Sequence, residues 1–568
     1  MGKIKQKARA GYENIRLSFL NKNIILNTLS IPVICYTAYL LSGIISHTFL
    51  DLNIPNEYRE AANVYLTREL MLGKNPYSLS ALKDLHPCLI YLYGPLYSMA
   101  VAFFGIFIHL DIIALHYLFT FACIIISAFL SAWMVHEKSS TLLAPSLAFV
   151  FLVNCHWRYN YLNAVPDSMG LMLMVLIFFV LTRPSLKHKP FIAALLTMAA
   201  FLTKQYFLLT AGTATAFLFI SEGWKKSLKY LMHLAILTFL LFVVIGWQFP
   251  LFWTYTLYFA KGPGKGISNH VTRNGVKITG NMYNLSQVMS LGGMFLMLFV
   301  TEAIGILSII KEFFTHLKNA GSFQSKIFTF IKKTDSTIVL TIIHLAVAAI
   351  CLSYLGKNDG AWLSYYLELF MPALVIGSLV FLEAFLHKLP PITNEAPKAR
   401  YFHILYHAFY LLLIVFTLYR TGTRLPASPL TEADRTAWQK AEELLDKESG
   451  DMYLYPPLAY YGLERGIYVY NSGQPFVITD KFYKRHLKSE KNQQLYPYAG
   501  EIFRKHLSYR NTVRSRVRHG DYSVVTFIED TDEVFTRKDL KAYYRLAATL
   551  PLRCGRWSWD VEFWLKKE

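Results

Sequence analysis

Cysteine is scarce and unpatterned. There are six in 568 residues, with no CxxC pair and no zinc-ligand spacing, which excludes a disulfide scaffold or zinc module as the organising theme. Cys35, Cys123, Cys155 and Cys351 lie in apolar runs, and Cys88 and Cys554 are too distant in sequence to argue a pairing. Fixed-period repeats and low-complexity tracts are also missing. Carboxylates are outnumbered, 37 against 57 Lys and Arg, for a formal charge of +20. Such an excess would suit nucleic acid if it lined one soluble face, but here the cations fall in short segments between apolar runs. No nucleic-acid partner is expected, and the excess reads as a topology signal plus anionic ligands and lipid headgroups. No cleaved signal peptide is expected, because the first apolar run is too long and lacks a small-residue cleavage site. Residues 1–23, with Lys3, Lys5, Lys7, Arg9, Arg16 and Lys22, are expected to stay in the cytoplasm.

What is abundant is apolar chain. Hydrophobic residues make up 54%, and several runs approach the roughly 20 residues a membrane-spanning helix needs. Spans are expected near 24–46, 112–135, 141–160, 168–182, 190–203, 206–221, 231–248, 288–309, 337–355, 364–385 and 402–419. The fold class is therefore mainly α, a polytopic helical membrane protein of about eleven spans. Treating 94–110 as an interfacial helix places Lys138, Arg183 with Lys187 and Lys189, Lys225 with Lys226 and Lys229, the run Lys311 to Lys333, and Lys388 to Arg400 all on the cytoplasmic side, as the positive-inside rule requires. An odd number of spans then puts the C-terminus outside. Composition shifts after Arg420. "TEADRTAWQKAEELLDKES" reads as a soluble helix, and "DMYLYPP", "GIYVYNSGQPFVI" and "DYSVVTFIE" read as short strands. The expected organisation is a segment 1–23, a membrane domain 24–420 with a first outer loop at 47–111, and a small extracytoplasmic α/β domain at 421–568.

Five segments carry unusual charge. In "PNEYREAANVYLTRELMLGKNPYS", Tyr58, Ala61, Ala62, Tyr65, Leu66 and Leu70 recur at helical spacing opposite Glu57, Glu60, Asn63, Thr67 and Arg68. This predicts an amphipathic helix capped by Asn56 and stopped at Gly73, and acidic residues in a first turn need no role beyond the helix dipole. Asp167 stands at the mouth of a span with an uncharged interior, where a helix cap is the simpler reading. Lys204 and Gln205 interrupt an apolar hairpin, so Lys204 either snorkels to headgroups or meets a ligand. The loop "YTLYFAKGPGKGISNHVTRNG" gathers Lys261, Lys265, His270 and Arg273 among glycines. It suits a phosphate or is simply a solvated basic loop, and it is no Walker loop. Glu368, in "GKNDGAWLSYYLELFMPAL", falls one turn inside an apolar span, where facing lipid would be costly. The topology chosen from Lys and Arg alone brings all five to the outer face.

In order and spacing, an acidic residue after the first span, "GKNPYS", "YLYGPLYSMAVAFFG", an Asp before a later span, "TKQ" and "YYLEL" resemble the bacterial branch of the GT-C glycosyltransferases. They are similar to the family 39 protein mannosyltransferases and the lipid A aminoarabinose transferases, over residues 10 to 385. The resemblance implies transfer of one sugar, with inversion, from a polyprenyl-phosphate donor to an acceptor hydroxyl of a glycan, lipid or protein at the outer face of the bacterial inner membrane. It carries the catalytic base onto Glu57, with Asp51 and Glu60 flanking it as alternatives, and a second acidic residue onto Asp167, to orient the acceptor or a metal. Lys204, Lys261, Lys265 and Arg273 become candidates to hold the phosphate. Glu60, Tyr93, Gln205, His270, Tyr366 and Glu368 complete the expected substrate-binding set. A divalent metal is expected to be optional, since the sequence shows no dedicated cage of oxygen ligands.

Two rivals stay open. A secondary transporter predicts internal repeats and ionisable groups at mid-membrane, whereas the acidic residues here cluster at helix mouths. Another polyprenol-linked envelope enzyme, such as an O-antigen ligase or polymerase, would also display a large outer loop with Arg and His, as "SNHVTRNG" does.

Overall fold

The computed structural model describes residues 26–43, 45, 46, 49, 51, 52, 54–56, 60–83, 89–157, 162–261, 270–273, 276–279, 293–317, 333–355, 363–388, 404–415, 430–469, 480–528, 534–555 and 557–568. Apolar runs and helices coincide. α1 (Leu26–Gly43) is followed by α2 (Ala61–Met71), α3 (Leu96–Gly105), α4 (Ile112–His136), α5 (Leu143–Trp157), α6 (Asp167–Leu181), α7 (Lys189–Thr203), α8 (Leu209–Glu222) and α9 (Trp224–Gln248). Then come α10 (Gly293–Leu317), α11 (Ser336–Leu355), α12 (Leu363–Lys388) and α13 (Ile404–Val415). Each of the eleven expected spans has a helix. Five of them are long and apolar enough to cross a membrane, and others, α6 and α7 among them, are shorter apolar helices. The chain is a polytopic helical membrane protein.

Short connections make α4 to α9 alternate in direction, so their ends collect at two levels. At one level lie Lys138 with Asp335 at 2.7 Å, Arg183 with Glu137, and Lys189 with Glu222 at 2.5 Å. These are cations that the sequence reading assigns to one side, and here each is matched by a carboxylate. At the other level lie the start of α6 and the ends of α7 and α9, together with α2 and α3. The ten residues of α3 rise only about 15 Å, half of a hydrocarbon core. Phe103, Ile106 and Phe107 are exposed at its far end, as an interfacial helix requires.

α2 corrects the expected amphipathic helix. It begins at Ala61, with Glu60 rather than Asn56 at the N-cap, and ends before Gly73, whose φ of 72° suits glycine alone. Its polar side is not solvated: Asn63 and Thr67 are as buried as Ala61 and Leu66.

Beyond residue 430 the chain forms a C-terminal α/β unit of α14 (Glu432–Asp446), α15 (Ala459–Arg465), α16 (Asp480–Leu487), α17 (Glu490–Leu495), α18 (Ala499–His519) and α19 (Arg537–Tyr543). β1 (His270–Arg273) and β2 (Val276–Thr279) form a separate hairpin, while β3 (Met452–Tyr453), β4 (Val524–Phe527), β5 (Tyr544–Cys554) and β6 (Trp557–Lys566) form one sheet in the order β3-β4-β6-β5. The expected soluble helix is α14, opened by a capping box of Thr431 and Asp434. "DMYLYPP" and "DYSVVTFIE" supply β3 and β4, whereas most of the third expected strand, 470–478, lies outside the described residues. This unit does not hang free. One apolar cluster unites Trp438, Leu445, Leu458 and Tyr460 with Ile54, Val64, Tyr117 and Ala164 of the membrane domain. Arg435 holds Asp51 through two hydrogen bonds of 2.9 and 3.0 Å.

Candidate active site

Lys204 follows the last residue of α7 with extended backbone, φ −155° and ψ 128°, which turns its side chain back into the bundle. It neither snorkels nor meets water. Its residue is 3% exposed, and its ammonium lies 2.5 Å from Oδ1 of Asp167, itself 7% exposed. The cap of α6 is Pro166, and the Asp167 side chain reaches instead to this lysine. Burying a charge costs several kcal/mol unless it is paired, so each group is the condition for the other's being there.

Three aromatic rings surround the ammonium: Tyr206 at 4.8 Å, Tyr93 at 5.0 Å and Tyr365 at 5.3 Å from ring centre to Nζ. Each offers the electron-rich face that a cation favours. Tyr206 donates its hydroxyl hydrogen to Oε2 of Glu368, so the buried Glu368 joins the same cluster. Pro372, inside α12, brings no N–H to the Glu368 carbonyl four residues earlier. The neighbouring Leu369 carbonyl accepts from Nε2 of His344 at 2.8 Å. The helix is thus reorganised where Glu368 enters the site.

Two glycines allow this convergence. A Cβ on Gly94 would stand 1.7 Å from the Leu202 carbonyl oxygen, and one on Gly170 would stand 2.1 Å from the Phe207 ring. Segment 89–95 and the last turn of α7 therefore approach at backbone distance. Gln205 fastens the same seam: its Nε2 donates to the Leu92 carbonyl at 2.6 Å and to the Thr256 carbonyl at 2.8 Å. Both its hydrogens are committed to holding walls together.

Glu60 is fully buried and binds three elements. Oε1 accepts from the Asn56 amide at 2.6 Å and the Tyr117 hydroxyl at 2.9 Å, and Oε2 accepts from the Ala164 amide at 2.7 Å. Asn63 adds a bond from Nδ2 to the Ala164 carbonyl at 2.8 Å. Glu60 thereby ties the turn before α2 to the loop before Asp167. Tyr460, from the C-terminal unit, abuts the same carboxylate. Burial and then Glu60 hold its hydroxyl pKa well above the ordinary tyrosine value.

Of the sequence-predicted residues, the structure brings together Asp167, Lys204, Glu368 and Tyr93, with Gln205 at the seam and Glu60 in the adjoining wall. Asp51 is engaged by Arg435. Glu57 and Lys265 lie outside the described residues. Lys261 closes a short turn after α9, His270 and Arg273 are the ends of β1, and Tyr366 is in α12. The side chains of those four are likewise outside the description. Tyr206 and Tyr365 were missed, because in a chain with 15% aromatic residues neither is distinctive by type.

A divalent metal does not fit a dedicated cage among the described residues. No three of their His, Cys, Asp and Glu side chains converge, and the Asp167 carboxylate already carries the Lys204 ammonium.

This arrangement of helices, with an α/β unit closing one end, is similar in fold to solved membrane proteins. The crystal structure of ArnT from Cupriavidus metallidurans in the apo state is similar with a TM-score of 0.50 and 11% sequence identity, covering 93% of this chain and 97% of that one. ArnT bound to undecaprenyl phosphate gives 0.47 at 11% identity, over 93% and 98% of the two chains. The Archaeoglobus fulgidus oligosaccharyltransferase tethered with an acceptor peptide gives 0.43 at 12%, over 89% and 72%. At such identities the likeness is one of fold. No protein-family model matches the sequence, and no curated protein matches it.

Proposed function

We propose that this chain is a GT-C glycosyltransferase that moves a single hexosyl or pentosyl unit from a polyprenyl-phosphate donor to an acceptor hydroxyl, with inversion, at the outer face of the plasma membrane. The observation that carries the reading is the buried group of Lys204, Asp167 and Glu368, lined by Tyr93, Tyr206 and Tyr365 at one end of an apolar bundle. Ionisable groups there are costly to bury even when paired, and so point to a functional site. A lipid-linked donor keeps its tail among the helices while its phosphate reaches the helix ends, and tyrosine faces suit a sugar ring.

In this reaction the acceptor oxygen forms the new bond to the anomeric carbon while the bond from that carbon to the phosphate oxygen breaks. Polyprenyl phosphate leaves with the electron pair, and the acceptor proton passes to a carboxylate. Glu57 is the proposed base, one residue beyond the Asn56 amide that Glu60 anchors. Glu60 is better suited to positioning than to proton transfer, because both its oxygens already accept hydrogen bonds. Asp167 orients the acceptor. Lys204, with Lys261, Lys265 and Arg273 from the loop after α9, stabilises charge developing on the departing phosphate, and His270, Tyr366 and Glu368 complete the substrate contacts. The acceptor is a glycan, lipid or protein hydroxyl. The N-terminus is assigned to the cytoplasm and the C-terminal unit to the outside.

The test is transfer of radiolabelled sugar from a panel of polyprenyl-phosphate sugars, with membranes holding wild type or Glu57→Gln at equal expression. Loss of a general base lowers turnover about a hundredfold to ten-thousandfold. Near-normal turnover in the variant removes Glu57 from the role, and no transfer from any donor rejects the reaction class.

A further inference from the structure

α9 is the most exposed of the long apolar helices. Phe239, Phe242, Val243 and Val244 all face outward, and Trp247, in the last turn, is 79% exposed. An apolar flank ending in tryptophan marks where hydrocarbon gives way to headgroups. Ile245, on the buried side of that turn, and Leu251 and Phe252 just beyond it share one apolar cluster with Phe482, Ala499, Ile502 and Phe503 of α16 and α18. Tyr258 fixes the joint. Its ring stacks on Phe482 at 5.2 Å and Tyr496 at 4.7 Å, and its hydroxyl lies 2.8 Å from Nδ1 of His486. Residues 480–495 of the C-terminal unit are thus held at the interfacial level of α9.

With Phe482 and His486 turned inward, α16 and the turn into α17 expose Lys481, Lys484, Arg485, Lys488 and Lys491 against two carboxylates, Asp480 and Glu490. Among these cations, Leu487 is 51% exposed and Leu495 is 59% exposed. On the neighbouring α18, Arg516 and Arg518 pair with Asp451 and Asp539 at 2.6 and 2.8 Å. Exposed lysines interleaved with exposed leucines beside a lipid-facing helix match the chemistry of an anionic bilayer surface, where the ammonium groups meet phosphates and the apolar side chains enter the acyl boundary.

We propose that residues 480–495 form a membrane-contact surface that binds the headgroups of anionic phospholipids. The occupant is the bilayer itself. Charge complementarity selects it, and continuity with the apolar flank of α9 places it within reach.

The test uses the full chain in detergent, titrated with phosphatidylglycerol or phosphatidylcholine and read by native mass spectrometry. The comparison is with Lys481→Glu, Lys484→Glu, Lys488→Glu and Lys491→Glu combined. The expected result is selective binding of phosphatidylglycerol by wild type and a loss on the order of tenfold in apparent affinity in the variant, since each cation near an anionic surface contributes. All four side chains are exposed, so unchanged melting and elution should accompany the loss. Should the charge reversal misfold, the fourfold Lys→Gln variant makes the same comparison. Unchanged phosphatidylglycerol affinity in a folded variant overturns the proposal. Equal competition by soluble glycerol phosphate also overturns it, because the ligand would then be a free anion. Sugar transfer is not read, so the result is independent of the proposed reaction.

Discussion

The ammonium of Lys204 stands 2.5 Å from the carboxylate of Asp167 with both side chains closed to solvent. Breaking such a pair from one side leaves a buried charge without its partner, at a cost of about 3–5 kcal/mol. Lys204→Met should therefore lower the melting temperature of the purified protein and abolish transfer. The double variant Lys204→Met with Asp167→Asn should recover most of the lost stability and none of the activity. A double variant no more stable than the single would show that the pair is not the main interaction of either residue.

Gly94→Ala tests the seam. Its Cβ would meet the Leu202 carbonyl oxygen at 1.7 Å, a backbone atom that cannot swing away. Overpacking costs about 1–3 kcal/mol where neighbours can adjust, so a clear fall in thermal stability and loss of transfer are expected. Gly43→Ala is the control, with nothing within 4 Å of the added carbon, and thermal melting should leave it close to wild type.

Glu60→Gln separates charge from shape. Glutamine keeps the size but has one accepting oxygen where three donors converge, the Asn56 amide, the Tyr117 hydroxyl and the Ala164 amide. Hydrogen bonds to a charged group contribute about 1.5–3 kcal/mol each. The expected signature is a fall in kcat larger than any rise in KM, with the pH profile of kcat unchanged in shape because the proposed base is Glu57. A lost acid limb in that profile would return Glu60 to the catalytic role.

Much of this was legible beforehand, for stated reasons. Long apolar runs have few alternatives to helix in a membrane, and Asp167, Lys204 and Glu368 stood out because ionisable residues at breaks in such runs are rare. Their meeting was not legible. Lys204 and Asp167 are 37 residues apart, and only the close approach permitted by Gly94 and Gly170 brings their elements together. The burial of Glu60 was hidden because its partners are mostly backbone amides, which carry no sequence signature. β5 is hard to read from sequence because Pro551 argues against a strand; its place at the sheet edge is where proline is tolerated. The C-terminal unit was expected as an appendage because its composition differs from that of the spans, and composition does not report a shared core.

Acid should loosen that unit selectively. Asp434 and Asp539 close capping boxes with Thr431 and Thr536. Burial alone would raise both carboxyls, but the threonine hydrogen bonds, with Arg553 and Arg518, outweigh it and hold them below the ordinary aspartate range. Their contribution is present above the unfolded value of about 3.9 and is lost as pH falls through the lower folded value. Hydrogen exchange of 430–568 should therefore accelerate below about pH 4 before the helices of the bundle respond. Asp539→Asn should be less stable at neutral pH and show a shallower acid limb.

The wall behind Glu60 is completed by Tyr460, with Trp438 and Leu458 in the same apolar cluster as Val64 and Ala164. These contributors all lie beyond residue 430, after every described helix of the bundle. All the helices of the bundle can be threaded into the bilayer while Val64, Tyr117 and Ala164 still lack their cover. Completion of that wall thus waits on the C-terminal unit, and a chain cut before Trp438 would leave Val64, Tyr117 and Ala164 without the apolar cover they have here.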